Sequence, residues 1–244
     1  GFTGRDGFGD AEILLGRLFA VDPGLRRKLV LASKGGVVPG VPYDSSADYL
    51  VAACEASLRR LGTDHLDLFQ VHRPDVLTHP AEVARALETL VTSGKVRAVG
   101  VSNYTRPQVA ALVAHLQIPL ASIQPEFSPL VLEPLADGTL DLAMQHRISV
   151  LAWSPLAGGR LGEPGNDAPA QRVCAELDRR AQRCGVSRAA ATYAWIMAHP
   201  AGIIPIVGSQ QPSRIRAAAA AYQVEWTRAD WYRVLVASRG VALP

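Results

Sequence analysis

The feature that most constrains this chain is a repeated change of hydrophobic period. Short β-branched apolar runs alternate with longer stretches whose apolar residues recur at helical spacing. "KLVLAS" (28–33) precedes a helical pattern through "DYLVAACEASLRRLG", and "LDLFQV" (66–71) precedes one through "PAEVARALETLVTSG". "VRAVGV" (96–101) is followed by a helix from Pro107, "LASIQ" (120–124) by one near 137–147, and "ISVLAW" (148–153) by two, at 169–184 and 188–198. "GIIPIV" (202–207) leads into helices at about 212–221 and 227–238. Runs that are apolar throughout belong to strands buried on both faces, so six parallel strands covered by helices are predicted.

An open doubly wound sheet and a closed barrel both satisfy that alternation. A dinucleotide-binding open sheet carries G-x-G-x-x-G directly after its first strand. The glycine-rich "GFTGRDGFG" has no strand before it and reads as a loop. The strand ends favour the barrel: Lys34, His72, Ser102 with Asn103, Gln124, Trp153 with Ser154, and Gly208 with Ser209 close the six runs in turn. In a barrel such residues converge on the face that carries the active site. The 244 residues suit one such domain, since barrels of about 250 residues commonly stay single.

Composition excludes several function classes. With 48% hydrophobic and 19% charged residues the chain has the makings of a substantial core, and its net charge of +3 is too small and dispersed for a nucleic-acid partner. Arg26, Arg27 and Lys28 read as a solvated helix end. No run reaches the roughly 18 apolar residues of a membrane span, and three cysteines without metal-ligand spacing suit a reducing, cytoplasmic setting.

Each strand-end residue has a structural reading and a chemical one. Lys34 either reaches solvent along its aliphatic stem or is held in a desolvated site; His72 is either a packed histidine or a carbonyl-orienting one. Together they suit proton transfer. Ser102, Asn103 and Gln124 offer a hydroxyl and two amides suited to an amide-bearing ring, although Asn103 or Thr105 would equally cap the helix that follows. Trp153 offers a flat face for stacking. "GSQQPSRIRAA" follows a strand and enters a helix at Pro212, where backbone N–H groups, Arg214 and Arg216 suit a phosphate. These parts describe a nicotinamide dinucleotide site.

The segments "ASKGG", "LDLFQVHRPD", "SGKVRAVGVSNY", "QPEFSPL", "LAWSPLAGGRL" and "IPIVGSQQPSRIRAA" resemble, in this order, those of the aldo-keto reductase superfamily. The likeness runs over nearly the whole chain and is greatest to bacterial YdhF-like oxidoreductases. It implies a (β/α)8 TIM barrel spanning 1–244 as one domain, with the first two strands missing from the chain. It implies NADP(H) as cofactor and a small-molecule aldehyde or ketone as substrate. Lys34 matches the family's catalytic lysine and His72 its histidine. Ser102, Asn103 and Gln124 match the carboxamide contacts and Trp153 the ring platform. Ser154, Pro155, Leu156, Gly158 and Arg160 match the pyrophosphate loop, and Ile206, Gly208, Ser209, Gln211 and Arg214 the adenosine end.

The family's proton donor, a tyrosine, has no counterpart where the pattern puts it. Counting back through "GFTGRDGFGDAEILLG" sets Asp6 at the tyrosine's place and Gly1 at that of its aspartate partner. The resemblance therefore implies either a longer protein, with further residues before about Gly7, or a barrel that binds NADP(H) without catalysis as a regulatory or sensor subunit. Tyr43, in the loop after Lys34, is an ordinary loop tyrosine or a replacement donor.

Overall fold

A computed structural model describes residues 7–243. The positions Gly1 and Asp6, on which the reading of the missing tyrosine rests, lie outside them. The chain divides after Ile123 into two compact units.

The first unit opens with helices α1 (Asp10–Val21) and α2 (Pro23–Arg26) and then repeats strand and helix: β1 (Ala32–Gly35), α3 (Ala47–Leu61), β2 (Leu66–Val71), α4 (Pro80–Thr92), β3 (Val96–Ser102), α5 (Arg106–Val113) and β4 (Leu120–Gln124), which ends at the division. The strands lie in sequence order, and the β1–β2 and β2–β3 pairs are parallel. Helix α3 buries Leu50, Cys54, Leu58 and Leu61, a stripe at intervals of three and four. Ser46 caps its start by accepting from the Tyr49 N–H at 3.4 Å, and Gly62 closes it in the left-handed conformation. Each such leucine, removed from water, contributes about 2 kcal/mol.

Register sets the layers of this sheet. Lys34 lies opposite Gln70, and Gln70 opposite Gly100. Gln70 is buried and donates from Nε2 to Ser122 Oγ at 3.1 Å. Gly100 makes the room for that bond: a Cβ there would collide with Ser122 Oγ and stand 2.7 Å from the Ser122 carbonyl oxygen. A polar layer, Lys34–Gln70–Gly100 with Ser122, thus lies one step below the strand ends.

Two expectations are corrected here. The first strand begins at Ala32 rather than Lys28 and runs on to Gly35, so Lys34 sits inside it. Before Ala32 the Leu31 N–H is taken by the Asp67 carboxylate at 2.9 Å instead of a neighbouring strand. Arg26 is no solvated helix end: its guanidinium meets Asp67 at 2.8 Å and the His65 carbonyl at 2.9 Å. Helix α1 was not anticipated, because Leu14, Leu18 and Val21 are exposed and only Phe19 is buried, which blurs its period. Arg60, through Nε, joins it to α3 by an ion pair with Glu12 at 2.6 Å.

The second unit contains α6 (Glu133–Ala136), α7 (Thr139–His146), β5 (Ser149–Ala152), α8 (Ala168–Cys184), α9 (Arg188–Met197), β6 (Ile204–Pro205), α10 (Pro212–Ala218) and α11 (Arg228–Arg239). β5 and β6 are parallel, with Ala152 opposite Pro205. The expected strand 202–207 shrinks to two ladder residues, Ile204 and Pro205, and the Ile206 N–H adds a bond to the Ala152 carbonyl at 2.9 Å. Trp195, fully buried on α9, stacks on Trp231 of α11 at 4.6 Å between centroids. Each indole N–H donates to the other residue's backbone carbonyl, at 3.1 and 3.0 Å, so neither ring is buried with an unmet donor. Among the described residues no helix is long and apolar enough to cross a membrane.

Candidate active site

In the first unit the polar residues gather at the C-terminal ends of the parallel strands. His72 follows Val71, the last residue of β2, and its N–H donates to the Gly35 carbonyl at 2.8 Å, which extends the β1–β2 ladder by one bond. Side chains alternate along a strand, so His72 faces as Gln70 does, and Ser102 as Gly100 does. Lys34, opposite Gln70, therefore lies on the same face as His72, one layer lower.

The electrostatics of the pair follow from burial. Desolvation lowers the pKa of Lys34 below that of a solvated lysine. His72 falls to about 4, first through burial and then through the positive charges of Lys34 and Arg73. At neutral pH His72 is thus uncharged, with one ring nitrogen able to donate a hydrogen bond and the other to accept one.

Asn103 ties β3 to β2. Its φ of 60° is left-handed, a conformation asparagine tolerates better than most residues, and it aims the amide sideways. Nδ2 donates to the His72 carbonyl at 3.1 Å and to Ser102 Oγ at 3.0 Å. The helix cap that sequence left open between Asn103 and Thr105 belongs to Thr105, which forms a capping box with Gln108. Tyr43 pairs with Val37 in a short antiparallel bridge within the loop after β1.

In the second unit, Trp153 follows β5 and bridges in parallel to Glu126, two residues beyond Gln124. Its N–H donates to the Pro125 carbonyl at 3.1 Å, and its carbonyl accepts from Phe127 at 3.3 Å. The loop that follows is unusual in conformation: Ser154 and Ala157 both have φ near 51°, and Gly158 and Gly159 are also left-handed. Ser154 Oγ accepts from the Gly158 N–H at 2.8 Å and closes the turn around Pro155 and Leu156. Such strain in non-glycine residues persists only where the surroundings hold it, and it concentrates at binding loops. Nothing lies within 4 Å of where a Cβ would stand on Gly158, Gly159 or Gly208, so no neighbouring group crowds these positions.

Arg160, from the same loop, is held by Asp167 at 2.6 Å, and Asp167 also caps α8 through the Ala170 N–H at 3.2 Å. At the other end, the Gln211 N–H donates to Ser209 Oγ at 3.1 Å, and the helix expected at about 212–221 is formed by α10 followed directly by a 3-10 turn, Ala219–Gln223. Arg214 and Arg216 are exposed on it.

Sequence reading missed Gln70 and Ser122, which lie below the strand ends, and Asp75 and Asp167, which hold loops. Only Asp75 carried a signal, as the acidic end of "HRPD".

The sequence model described as the aldo/keto reductase family matches residues 7–235. The chain is 55% identical, over all of its length and 80% of the relative's, to a 6-dehydroglucose reductase of Novosphingobium aromaticivorans. It is 39% identical to the oxidoreductase YdhF of Escherichia coli, over 96% of this chain and 80% of that one. Among solved structures, an aldo/keto reductase from Klebsiella pneumoniae in complex with NADP and acetate superimposes with a TM-score of 0.77 at 28% identity, over 93% of this chain and 75% of that one. With strand-and-helix repeats in the expected order and the family pattern running from Gly7 into α11, the chain belongs to the aldo/keto reductase family, the enzymes that reduce carbonyl compounds.

Proposed function

We propose that this protein is a cytoplasmic, NADPH-dependent reductase of a hydroxyl-rich aldehyde, the C6 aldehyde of 6-dehydroglucose being the first to test, and that residues 1–244 act as one barrel domain. One observation carries the reading: a desolvated lysine and a neutral histidine share one face of adjacent parallel strands. The 55% identical relative named for 6-dehydroglucose supports the substrate.

The residues fit the cofactor. The space around Gly158, Gly159 and Gly208 is free of crowding side chains, and Arg214 adds an exposed guanidinium. On this reading Ser102, Asn103 and Gln124 contact the carboxamide and Trp153 stacks on the ring. Ser154, Pro155, Leu156, Gly158 and Arg160 cover the pyrophosphate. Ile206, Gly208, Ser209, Gln211 and Arg214 hold the adenosine end, with Arg214 on the 2'-phosphate.

When bound, the nicotinamide supplies a hydride from C4. His72 orients the carbonyl by donating a hydrogen bond from its uncharged ring, which holds the oxygen without protonating it prematurely. Lys34 lowers the pKa of the proton donor, in the family a tyrosine, which is not seen in this chain at the pattern's position, Asp6. Hydride to carbon and proton to oxygen together give the alcohol.

The test is NADPH oxidation by the protein expressed from its whole gene, against a panel of aldehydes and ketones that includes 6-dehydroglucose. Turnover of the sugar aldehyde above simple aldehydes supports the reading. NADPH binding without turnover of any carbonyl would point instead to the sensor subunit.

A further inference from the structure

We propose that Asp75 is a positioning residue for carbonyl recognition: its carboxylate staples loop 36–46, which follows Lys34, to the turn that follows His72. It thereby fixes the wall beside the histidine. This inference rests on the reading of Lys34 and His72 as the carbonyl site.

Three hydrogen bonds converge on the one carboxylate. Oδ2 accepts from the Ser45 N–H at 3.0 Å and from the Thr78 hydroxyl at 2.7 Å, and Oδ1 accepts from the Leu77 N–H at 2.9 Å. The last two are local and shape the turn of residues 75–78. The Ser45 bond spans 30 residues and joins the two loops that leave β1 and β2.

Loop 36–46 is built to transmit that anchoring. Val37 and Tyr43 form an antiparallel bridge, the Val38 N–H reaches the Pro42 carbonyl at 3.2 Å, and the Asp44 N–H returns to the Gly36 carbonyl at 3.2 Å. Tyr49 Oη donates to the Val37 carbonyl at 3.1 Å. The base of this small hairpin meets the strand that carries His72: a Cβ on Gly36, whose φ is 97°, would stand 3.4 Å from both Val71 Cγ1 and Ser45 Oγ. Val41 and Tyr43 remain exposed at its tip, presenting an apolar and aromatic edge. With the hairpin closed on itself, its orientation is set at its feet, Gly36 on β1 and Ser45 on Asp75, and by the Tyr49 hydroxyl of α3 on Val37.

Partial burial alone would raise the Asp75 pKa, but the bonds from Thr78, Leu77 and Ser45 outweigh it and hold the carboxyl below its ordinary range. The staple is therefore ionised throughout the neutral range, where a charged acceptor makes its strongest hydrogen bonds.

The experiment compares Asp75→Ala with Thr78→Val, which removes a local bond to the same carboxylate and keeps the Ser45 bond. Steady-state kinetics and amide hydrogen exchange are read on both. Asp75→Ala is expected to raise KM for the carbonyl about tenfold, to leave KM for NADPH within about twofold, and to speed exchange of the Ser45 amide; Thr78→Val should do none of these. Unchanged Ser45 exchange overturns the staple, and faster exchange with an unchanged carbonyl KM overturns the role in recognition. Should Asp75→Ala not fold, Asp75→Asn carries the same readings with a smaller KM rise. A wild-type protein that reduces no carbonyl refutes the assigned activity instead, and Ser45 exchange then still reads the staple by itself.

Discussion

Asn103 holds His72 by the backbone: its Nδ2 donates to the His72 carbonyl at 3.1 Å, and that reach depends on the left-handed φ of 60° at Asn103. Asn103→Ala loses the donor and places a less tolerant residue at positive φ, which together cost about 1–3 kcal/mol. Asn103→Gly loses the donor only. Urea unfolding should therefore rank the wild type above the glycine variant and the glycine variant above alanine; equal losses would show that the backbone conformation carries no strain.

The titration of His72 has a sign that can be measured. Its pKa is about 4 in the folded protein against 6.5 ordinarily, so the unfolded chain binds the proton more readily between these values. Its contribution to stability is complete above pH 6.5 and is lost progressively as pH falls toward 4. His72→Gln should flatten the stability curve in that window relative to wild type. An NMR titration placing the ring near 6.5 in the folded protein would contradict the burial on which this rests.

At the adenosine end, Arg214→Ala should weaken NADPH by about tenfold or more and NADH little, as one lost charge-assisted contact to the 2'-phosphate predicts. Isothermal titration with both cofactors decides this. Equal losses would remove Arg214 from the 2'-phosphate.

Binding of NADPH should quench tryptophan emission through Trp153, and the quench should shrink in Trp153→Ala. An undiminished quench would assign the effect to another of the four tryptophans.

Gly100→Ala tests the polar layer under the strand ends. The added methyl would strike Ser122 and crowd Gln70, whose Cγ lies 3.2 Å away. Overpacking of this kind costs about 1–3 kcal/mol, seen as a lowered Tm. Gly100→Ala combined with Ser122→Ala should recover part of that loss, since the hydroxyl is the group struck first.

Much of this molecule was legible along the chain. The period changes located all six strands among the described residues and most helices, and the motifs around Lys34, His72 and Asn103 carried the family resemblance. What periodicity blurred has physical causes. Helix α1 leaves Leu14, Leu18 and Val21 exposed, and Leu31 spends its N–H on the Asp67 side chain.

The sequence by itself determined where the strands and most helices fall and which side chains stand near the strand ends, because hydrophobic period and glycine or proline punctuation are local properties. Only the tertiary structure decided the register that puts Lys34 opposite Gln70 and one layer below His72. It alone brought Asn103 to the His72 carbonyl and Asp75 to the Ser45 amide, across 31 and 30 residues. Hydrogen bonds between distant residues depend on how strands pair and where loops return, and no local pattern encodes those distances.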